Sequence, residues 1–276
     1  MNEISYIFPV IVLYRCKLSA SNTYKSLLRN AAFKAFMVYD NSPQDFKQEE
    51  MPHKAVYIRD YSNCGISAAY NKAAHYAAEH GYSRLLVLDQ DTTFAPDTLD
   101  VYAQADSNIP LWAPAVVSTY GVPLSPACID HLKMKAAKLE SGLYSLHHYF
   151  PINSGMCVSL KEFFQAGGYD ENVQLDFSDF QFLRRLRQQN DCFQLLPTQA
   201  TQDFSNEKKE LRCQKMRYGR YLKDARHCKI SSRKERIQHK YSVFLHTLSL
   251  SLRFRSAVFM RMYLSHQTAA NEARTR

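Results

Sequence analysis

Two acidic residues, Asp89 and Asp91, stand one position apart directly after the apolar run 84–88. Carboxylate oxygens are preferred ligands of Mg²⁺ and Mn²⁺, and Mg²⁺ is commonly held by one or two carboxylates together with substrate phosphates. A strand that ends here would present both carboxylates at the edge of a sheet. The triplet Asp89-Gln90-Asp91 therefore predicts a site for a divalent cation and a phosphorylated substrate, whereas the alternative is a solvated turn.

A second pair of carboxylates, Asp176 and Asp179, stands three positions apart at the start of a helix predicted over 178–189. The helix dipole favours acidic residues in a first turn, so this placement has a purely structural explanation. The functional alternative is a general base that takes a proton from an attacking hydroxyl.

A third cluster combines Asn63, Gly65 and Asn71. Glycine lets the backbone turn closely, and an amide on the following helix could reach back to a ligand. A helix N-cap followed by a surface asparagine is the structural alternative.

Apolar runs of strand length alternate with helical patterns through the first half of the chain. The predicted strands are 8–14, 35–40, 55–59, 84–88 and 111–118, with later strands at 155–160 and 192–196. Predicted helices begin near Ser21, at Gly65 and at Pro96. This alternation predicts an α/β protein with a parallel sheet covered on both faces. Residues 120–150 show no clear periodicity, and we interpret them as a mobile loop or an acceptor-side segment.

Polar clusters follow four of these strands, and ligands of open α/β sheets bind beyond the carboxyl ends of strands. The clusters are Tyr14-Arg15, Asp40-Asn41-Ser42, Asp60 and Asp89-Gln90-Asp91. A polar turn explains any one of them, but the four together favour a binding edge.

Charge is unevenly distributed along the chain, whose formal net charge is +9. Residues 205–276 contain 18 Lys or Arg against 5 Asp or Glu, and the remainder contains 17 against 21. Such asymmetry indicates a polyanionic partner, either nucleic acid or an anionic membrane surface. With 46% apolar and 22% charged residues, the composition excludes wholesale disorder.

The start of the chain lacks the features of a secretory signal, and no apolar stretch reaches the length of a spanning helix. The seven cysteines form no C-x-x-C pair. This pattern favours reduced thiols in a cytoplasm.

The basic C-terminal segment carries apolar residues at near-helical spacing. They are Tyr241, Leu245, Leu248, Leu252, Phe259 and Tyr263. A basic amphipathic helix can lie in a membrane interface, and the alternative is a helical pair packed on the rest of the chain. Binding of nucleic acid is a further alternative, but the segment has no zinc-finger spacing or aromatic RNA-binding motif.

The order of the motifs DNS, NCGISAAYN, LLVLDQDT, NSGMCVSL, GGYDE, DFSDF and RR resembles the inverting glycosyltransferases of family 2, and is similar to their bacterial rhamnosyltransferase-like branch. The resemblance covers roughly residues 6–206. It implies a GT-A-type nucleotide-diphospho-sugar transferase fold, with a mostly parallel central sheet flanked by helices. Residues 1–206 would form the catalytic domain and residues 207–276 a basic helical extension.

The resemblance also implies roles for individual residues. Asp179 would be the catalytic base, with Asp176 as the competing base and Arg185 beside the acceptor. The donor would contact Tyr14, Asp40, Asn63, Gly65, Asn71, Asp89 and Gln90. Mg²⁺ or Mn²⁺ would be bound by Asp89, Asp91 and Asp203. Relatives often carry a histidine near the metal, but Gln202 stands there, and glutamine is a poor ligand. Either Asp203 substitutes, or the metal is held loosely, or metal dependence is reduced.

The implied activity is transfer of a sugar from dTDP-rhamnose or a UDP-hexose, with inversion, to a saccharide hydroxyl. The acceptor would be an oligosaccharide or a polyprenyl-diphosphate-linked saccharide of O-antigen, capsule or lipopolysaccharide synthesis. The enzyme would lie in the cytoplasm, peripherally on the inner face of the cytoplasmic membrane, with no nucleic-acid partner. The alternatives are a nucleic-acid-binding protein and a catalytically degenerate scaffold.

Overall fold

The computed structural model describes residues 4–29, 33–130, 133–203 and 210–272, which contain thirteen strands and seven α-helices. The strands are β1 (Ile7–Leu13), β2 (Phe36–Asp40), β3 (Ala55–Arg59), β4 (Arg84–Asp89), β5 (Thr92–Phe94), β6 (Leu111–Ser118), β7 (Pro123–Ser125), β8 (Ala127–Asp130), β9 (Lys133–Ala136), β10 (Gly142–Ser145), β11 (Tyr149–Phe150), β12 (Cys157–Ser159) and β13 (Cys192–Gln202). The helices are α1 (Ile66–Glu79), α2 (Thr98–Ala103), α3 (Leu160–Gln165), α4 (Ser178–Leu186), α5 (Leu211–His227), α6 (Arg233–Arg253) and α7 (Val258–Glu272).

The main sheet has the strand order β10-β13-β6-β12-β4-β1-β2-β3, with β5 joined to β13 and β7 to β6. The pairs β4–β1, β1–β2, β2–β3 and β6–β13 are parallel. Strand β12 runs antiparallel to both β4 and β6. The predicted α/β architecture, a mostly parallel sheet flanked by helices, is therefore confirmed.

Strands β1, β2 and β4 are apolar on both faces because both faces of the sheet are covered. Phe8 and Val10 of β1 belong to a core shared with α1, α3 and α4. Ile7 and Ile11, which point the other way, belong to a second core shared with α2 and residues 24–28. The sheet between these cores holds the carboxyl ends of β1, β2 and β4 along one edge.

Residues 120–150 form strands β7 to β11, so their interpretation as a mobile loop is wrong. Strands β8, β9 and β11 make a small antiparallel sheet of their own. These strands are two to four residues long, which is too short for a two-residue period to be visible in the sequence.

The predicted helix after Ser21 is present but short: residues 22–28 are helical, Tyr24–Leu28 in the π form, and Ser21 Oγ caps it by accepting from the Tyr24 N–H at 3.2 Å. The hydroxyls of this stretch bond to a neighbouring backbone. Ser21 Oγ donates to the carbonyl of Gln90 at 2.8 Å, and Thr23 Oγ1 donates to that of Thr92 at 2.8 Å. These bonds hold the helix against the turn between β4 and β5.

The C-terminal helices α5, α6 and α7 enclose a third core. Its buried members are Tyr218, Leu222, Val243, Leu250 and Phe259. The predicted boundary between residues 206 and 207 lies outside the described residues. In the part of the chain that the structure describes, no helix is long and apolar enough to cross a membrane. All seven cysteines are free thiols.

Candidate active site

The turn between β4 and β5 is fixed by side chains from the neighbouring strand end. The backbone N–H of Tyr14, directly after β1, donates to Gln90 Oε1 at 2.8 Å, and Gln90 Nε2 returns a bond to the Tyr14 carbonyl at 3.4 Å. Thr23 Oγ1 also donates to the Asp89 carbonyl. Gln90 therefore links the end of β1 to the end of β4 and fixes the backbone between the two aspartates.

The carboxylate of Asp89 is bonded by two hydroxyls. Ser154 Oγ donates to Oδ2 at 2.5 Å, and the hydroxyl of the buried Tyr70 approaches Oδ1 at 3.5 Å. Burial raises the pKa of Asp89, and these two hydrogen bonds oppose that shift. Within the described residues, no lysine or arginine forms an ion pair with this carboxylate.

Asp91 lies in a similar environment. Burial raises its pKa to about 7, and the charge of Asp89 adds to the shift. Gln202 Nε2, at the end of β13, lies 3.4 Å from Asp91 Oδ1, and the backbone N–H of Asp203 donates to the Asp91 carbonyl at 3.0 Å. The strand pair β5–β13 thus brings residues 202 and 203 beside the turn.

The two aspartates fit a divalent cation because, among the described residues, no lysine or arginine forms an ion pair that would offset their repulsion. No group of three or more His, Cys, Asp or Glu side chains that could hold a metal occurs among the described residues. Asp89 and Asp91 could supply two carboxylate ligands. Mg²⁺ is typically bound by such a set, since substrate phosphates and water complete its octahedral shell.

Asp179 is the third half-buried carboxyl group of this region. Burial raises its pKa to about 7, the backbone N–H of Phe180 opposes the shift by donating to Oδ1 at 2.8 Å, and the charges of Asp89 and Asp176 raise the pKa further. The pKa of Tyr169 is raised first by burial and then by the charges of both Asp179 and Asp89. The two carboxylates therefore lie around the same tyrosine, across one site.

The competing base, Asp176, is engaged in a bidentate ion pair with Arg217 of α5, one of whose bonds is 2.8 Å. Arg185, predicted beside the acceptor, donates from Nε to the Ala166 carbonyl at 2.9 Å and from a terminal nitrogen to the Gly168 carbonyl. These contacts leave Asp179 as the carboxylate better suited to accept a proton, and make Arg185 a support for the 166–168 turn.

No protein-family model and no curated protein matches this chain. Among solved structures, the chain is similar to GalNAc-T7 crystallised with UDP, GalNAc and Mn²⁺, with a TM-score of 0.51 and 13% identity over 72% of this chain and 44% of that one. It is also similar to S. aureus TarS, with a TM-score of 0.51 and 11% identity over 82% of this chain and 40% of that one. The fold is the GT-A fold.

At these identities the likeness shows the GT-A fold alone. The chain spans less than half the length of either structure. Membership of family 2, and of its rhamnosyltransferase-like branch, is not established by the likeness.

Asp40, at the end of β2, is fully buried, and both oxygens of its carboxylate accept hydrogen bonds from neighbouring residues. Oδ2 accepts bonds from Arg59 at 2.8 Å and from the Tyr57 hydroxyl at 3.0 Å, while Oδ1 accepts from the Ser42 N–H at 2.9 Å. Direct contact with a nucleotide would require one of these partners to be exchanged. The sequence did not reveal this arrangement, because Arg59 lies on a different strand.

Asn71 is likewise engaged, since its amide bonds to the loop that contains Tyr169 and Glu171. Nδ2 donates to the Tyr169 carbonyl and to Glu171 Oε1, both at 2.9 Å, and Oδ1 accepts from the Tyr169 N–H at 2.8 Å. Gly65, at φ +94°, lies against Gln174, and a Cβ there would be 2.3 Å from the Gln174 carbonyl oxygen. Asn63, at φ +51°, shapes the turn that precedes Gly65.

Sequence reasoning gave no role to Ser154, Tyr70 or Tyr169. Ser154 and Tyr70 bond to Asp89, and the Tyr169 hydroxyl donates to Asn153 Oδ1 at 2.7 Å. Each of the three stands within a motif quoted above. Their roles depend on pairings across 16 to 65 positions of the chain, which a local pattern does not show.

Proposed function

We propose that the protein is a nucleotide-sugar glycosyltransferase. The observation that carries this proposal is a pair of carboxylates, Asp89 and Asp91, at the carboxyl end of β4 in a GT-A fold, which no lysine or arginine of the described residues pairs, with the half-buried Asp179 across the same site. The nucleic-acid-binding alternative leaves all three carboxylates without a role, because carboxylates repel phosphates unless a cation intervenes.

Asp89 and Asp91 would hold Mg²⁺ or Mn²⁺, with Asp203 as the further candidate ligand. A divalent cation supplies electrostatic stabilisation of the negative charge that grows on a leaving diphosphate. The similar GalNAc-T7 structure contains UDP and Mn²⁺. Ser154 and Tyr70 orient Asp89 by their hydrogen bonds, and Gln202 contacts Asp91.

Asp179 would act as the general base. Its carboxylate takes the proton of the acceptor hydroxyl while the hydroxyl oxygen attacks the anomeric carbon and the bond to the diphosphate breaks. One base and one displacement invert the anomeric configuration. A base works best when its pKa lies near the working pH, and the raised pKa of Asp179, about 7, meets that condition.

The donor is proposed to be dTDP-rhamnose or a UDP-hexose. We propose as acceptor an oligosaccharide or polyprenyl-diphosphate-linked saccharide of a bacterial surface polysaccharide, such as O-antigen. The resemblance of the sequence motifs to family 2 supports these assignments. A catalytically degenerate scaffold remains the alternative that the replacement of the metal-proximal histidine by Gln202 favours.

A thermal-shift panel of nucleotide sugars, with and without Mn²⁺, tests donor and metal together. A ligand that binds only the folded state raises the melting temperature, so one nucleotide sugar should raise it more in the presence of Mn²⁺. A flat panel would contradict the proposal. Metal-dependent donor binding without transfer to any acceptor would support the scaffold.

Replacing Asp179 with asparagine removes the base without changing its shape. We expect transfer to fall by about 10²- to 10⁴-fold, the range for general-base catalysis, while the donor-induced thermal shift stays within error of wild type. Product formation is measured by chromatography of the released nucleoside diphosphate. Wild-type turnover by Asp179→Asn would exclude Asp179 as the base.

The C-terminal helices supply a second part of the proposal, attachment to an anionic membrane surface. Five apolar residues recur at helical spacing along α6 and are each between 37% and 69% exposed. They are Ile237, Tyr241, Phe244, Leu248 and Leu252. An exposed apolar stripe of this kind, flanked by cations, is typical of interfacial helices.

Charge on α6 supports the same orientation. Arg233 precedes Ile237 by four positions and Lys240 precedes Phe244 by four, so these cations lie beside the stripe. Glu235, the single acidic residue of α6, faces the other way and bonds to Arg187 at 2.6 Å. The exposed face of α6 is therefore apolar and basic.

Co-sedimentation with liposomes tests this attachment. We expect binding to vesicles that contain phosphatidylserine but not to phosphatidylcholine alone, and at least tenfold weaker binding for Arg233→Glu/Lys240→Glu, since each cation near the surface contributes about 1 kcal/mol. The control, Lys72→Glu/Lys161→Glu, makes the same change in net charge on exposed positions of α1 and α3. Equal binding to both lipids, or equal loss in both variants, would contradict an oriented attachment.

A further inference from the structure

We propose that Asp224 of α5 is a positioning residue for sugar transfer, because it holds the backbone that leads into the helix carrying Asp179. This inference rests on the proposed function and extends it to the C-terminal helices. Asp224 is 1% exposed and lies 45 positions beyond Asp179 in the sequence.

The carboxylate of Asp224 accepts hydrogen bonds from three successive backbone N–H groups. Oδ1 accepts from Gln174 at 3.0 Å, and Oδ2 accepts from Leu175 and Asp176, both at 2.9 Å. Successive N–H groups that converge in this way form an anion-binding concavity, and bonds to a charged acceptor are stronger than neutral ones. The anion that occupies this concavity is supplied by the chain's own C-terminal part.

Two further contacts of α5 fall on the same stretch. Arg217 makes its bidentate pair with Asp176, and the Tyr221 ring packs 5.0 Å from that of Phe177, measured between centroids. Positions 217, 221 and 224 are spaced by four and three residues, so they share one face of the helix. One face of α5 therefore binds the whole 174–177 segment.

The segment bound by α5 is the one that fixes the start of α4. Phe177 adopts a left-handed conformation, φ +65°, immediately before Ser178, the first residue of α4. This conformation is unfavourable for a bulky residue and persists only where surrounding contacts impose it. Asp179 is the second residue of α4, so its depth and direction depend on how the 174–177 segment is held.

The opposite side of the same segment faces the start of α1. The Ile66 N–H donates to the Gln174 carbonyl at 2.8 Å. The segment is thus held between the start of α1 and the face of α5. Removing the Asp224 anchor would loosen one of its two attachments and leave Asp179 displaced from the acceptor hydroxyl.

The test compares Asp224→Asn with Asp224→Glu and with the control Asp100→Asn, an exposed position of α2. An amide offers a single, uncharged acceptor to the three N–H groups, whereas glutamate keeps the carboxylate. For Asp224→Asn we expect faster hydrogen exchange of amides 174–176 and turnover slowed by about 10- to 100-fold, since a displacement of about 1 Å can cost 10² in rate. Donor binding with Mn²⁺, measured by thermal shift, should change less than about threefold.

We expect Asp224→Glu to recover part of the turnover rate and of the exchange protection, and Asp100→Asn to match wild type. Arg217→Gln, which removes an exposed contact of the same segment, provides a second variant if Asp224→Asn fails to fold, and should lower kcat in the same direction. Wild-type kcat in the folded Asp224→Asn protein, or equal losses in kcat and donor binding, overturns the positioning role. Absence of transfer by the wild type overturns the proposed function, and hydrogen exchange then shows separately whether the anchor exists.

Discussion

At the scale of single residues, the site is defined by carboxyl groups that the protein makes hard to ionise. Burial raises the pKa of Asp91 and of Asp179 to about 7, and in both the charge of Asp89 adds to the shift. Ordinary aspartates titrate near 4. Carboxyl groups with raised pKa values that lie close together are typical of sites that bind a cation or transfer a proton.

The raised pKa of Asp179 predicts the pH dependence of transfer. A base must be deprotonated, so kcat/KM should rise with pH, with a midpoint near 7 and a plateau above it. In kcat, the midpoint should lie at lower pH, because a cation bound by Asp89 weakens the repulsion on Asp179. The measurement is an initial-rate profile from pH 5 to 9. A midpoint near 4 in kcat/KM would contradict a raised pKa for Asp179.

The position of a site residue in the fold was predictable from the sequence where it followed directly from a strand end. Asp89 and Asp91 follow an apolar run, and their position at a sheet edge followed from that run alone. The internal bonding of Asp40 and Asn71 was not predictable, because their partners lie on other elements, 19 and 98 positions away. From sequence alone, a polar side chain near a predicted site cannot be distinguished from one that bonds to another part of the protein.

At the scale of elements, the close contact between Gly65 and residue 174 joins α1 to the segment that precedes α4. Sequence patterns located these elements well, since α1 and α4 begin within one residue of the predicted starts. They did not show the contact itself. The start of α1 lacks a side-chain cap, and its first N–H bonds to the Gln174 carbonyl instead.

Replacing Gly65 with alanine tests this contact. The residue has φ +94°, and a Cβ would be 2.3 Å from a carbonyl oxygen and 2.7 Å from the Gln174 Cβ. We expect Gly65→Ala to lower the free energy of unfolding by about 2–4 kcal/mol, the range for combined backbone strain and overpacking. Urea denaturation followed by circular dichroism gives the value.

Gly81→Ala is the matched control, because Gly81 has φ +76° but nothing lies within 4 Å of its Cβ position. It carries backbone strain without a clash and should cost about 1 kcal/mol. Equal losses in the two variants would show that the contact with residue 174 contributes nothing.

At the scale of the whole molecule, negative charge concentrates in the site while positive charge concentrates in the C-terminal helices. The sequence reveals this asymmetry, and its alternating pattern predicts the α/β fold. The strands of residues 120–150 escaped prediction because each is too short to show a period. The docking of α5 escaped it because its contacts join residues about 50 positions apart.

The raised pKa values in the acidic site predict how the free energy of unfolding of the metal-free protein depends on pH. The pKa values of Asp91 and Asp179 are raised to about 7 in the folded state, against near 4 in the unfolded state. The folded protein therefore binds more protons between these values, and stability falls as pH rises from about 4 to 7. Mn²⁺ should reverse the loss at pH 8, since it binds the ionised pair.

The measurement is the melting temperature at pH 5.5 and pH 8, with and without Mn²⁺. We expect a decrease of a few degrees at pH 8 in the metal-free protein, at about 2–4 °C per kcal/mol for a chain of this size. Asp91→Asn should show a smaller decrease and no rescue by Mn²⁺. If the melting temperature of Asp91→Asn fell as much as that of wild type, Asp91 would not be one of the groups that titrate.

The attachment of residues 174–176 to Asp224 has a consequence for biosynthesis. Chains generally fold from the N-terminus as they leave the ribosome. A nascent chain that ends before residue 224 already contains Asp89, Asp91 and Asp179, the proposed metal ligands and base, but lacks the carboxylate that anchors the segment before α4. Under the proposed function, catalytic competence would therefore be acquired late in translation, and products truncated before α5 would carry the three proposed reactive carboxylates without the anchor that aligns Asp179.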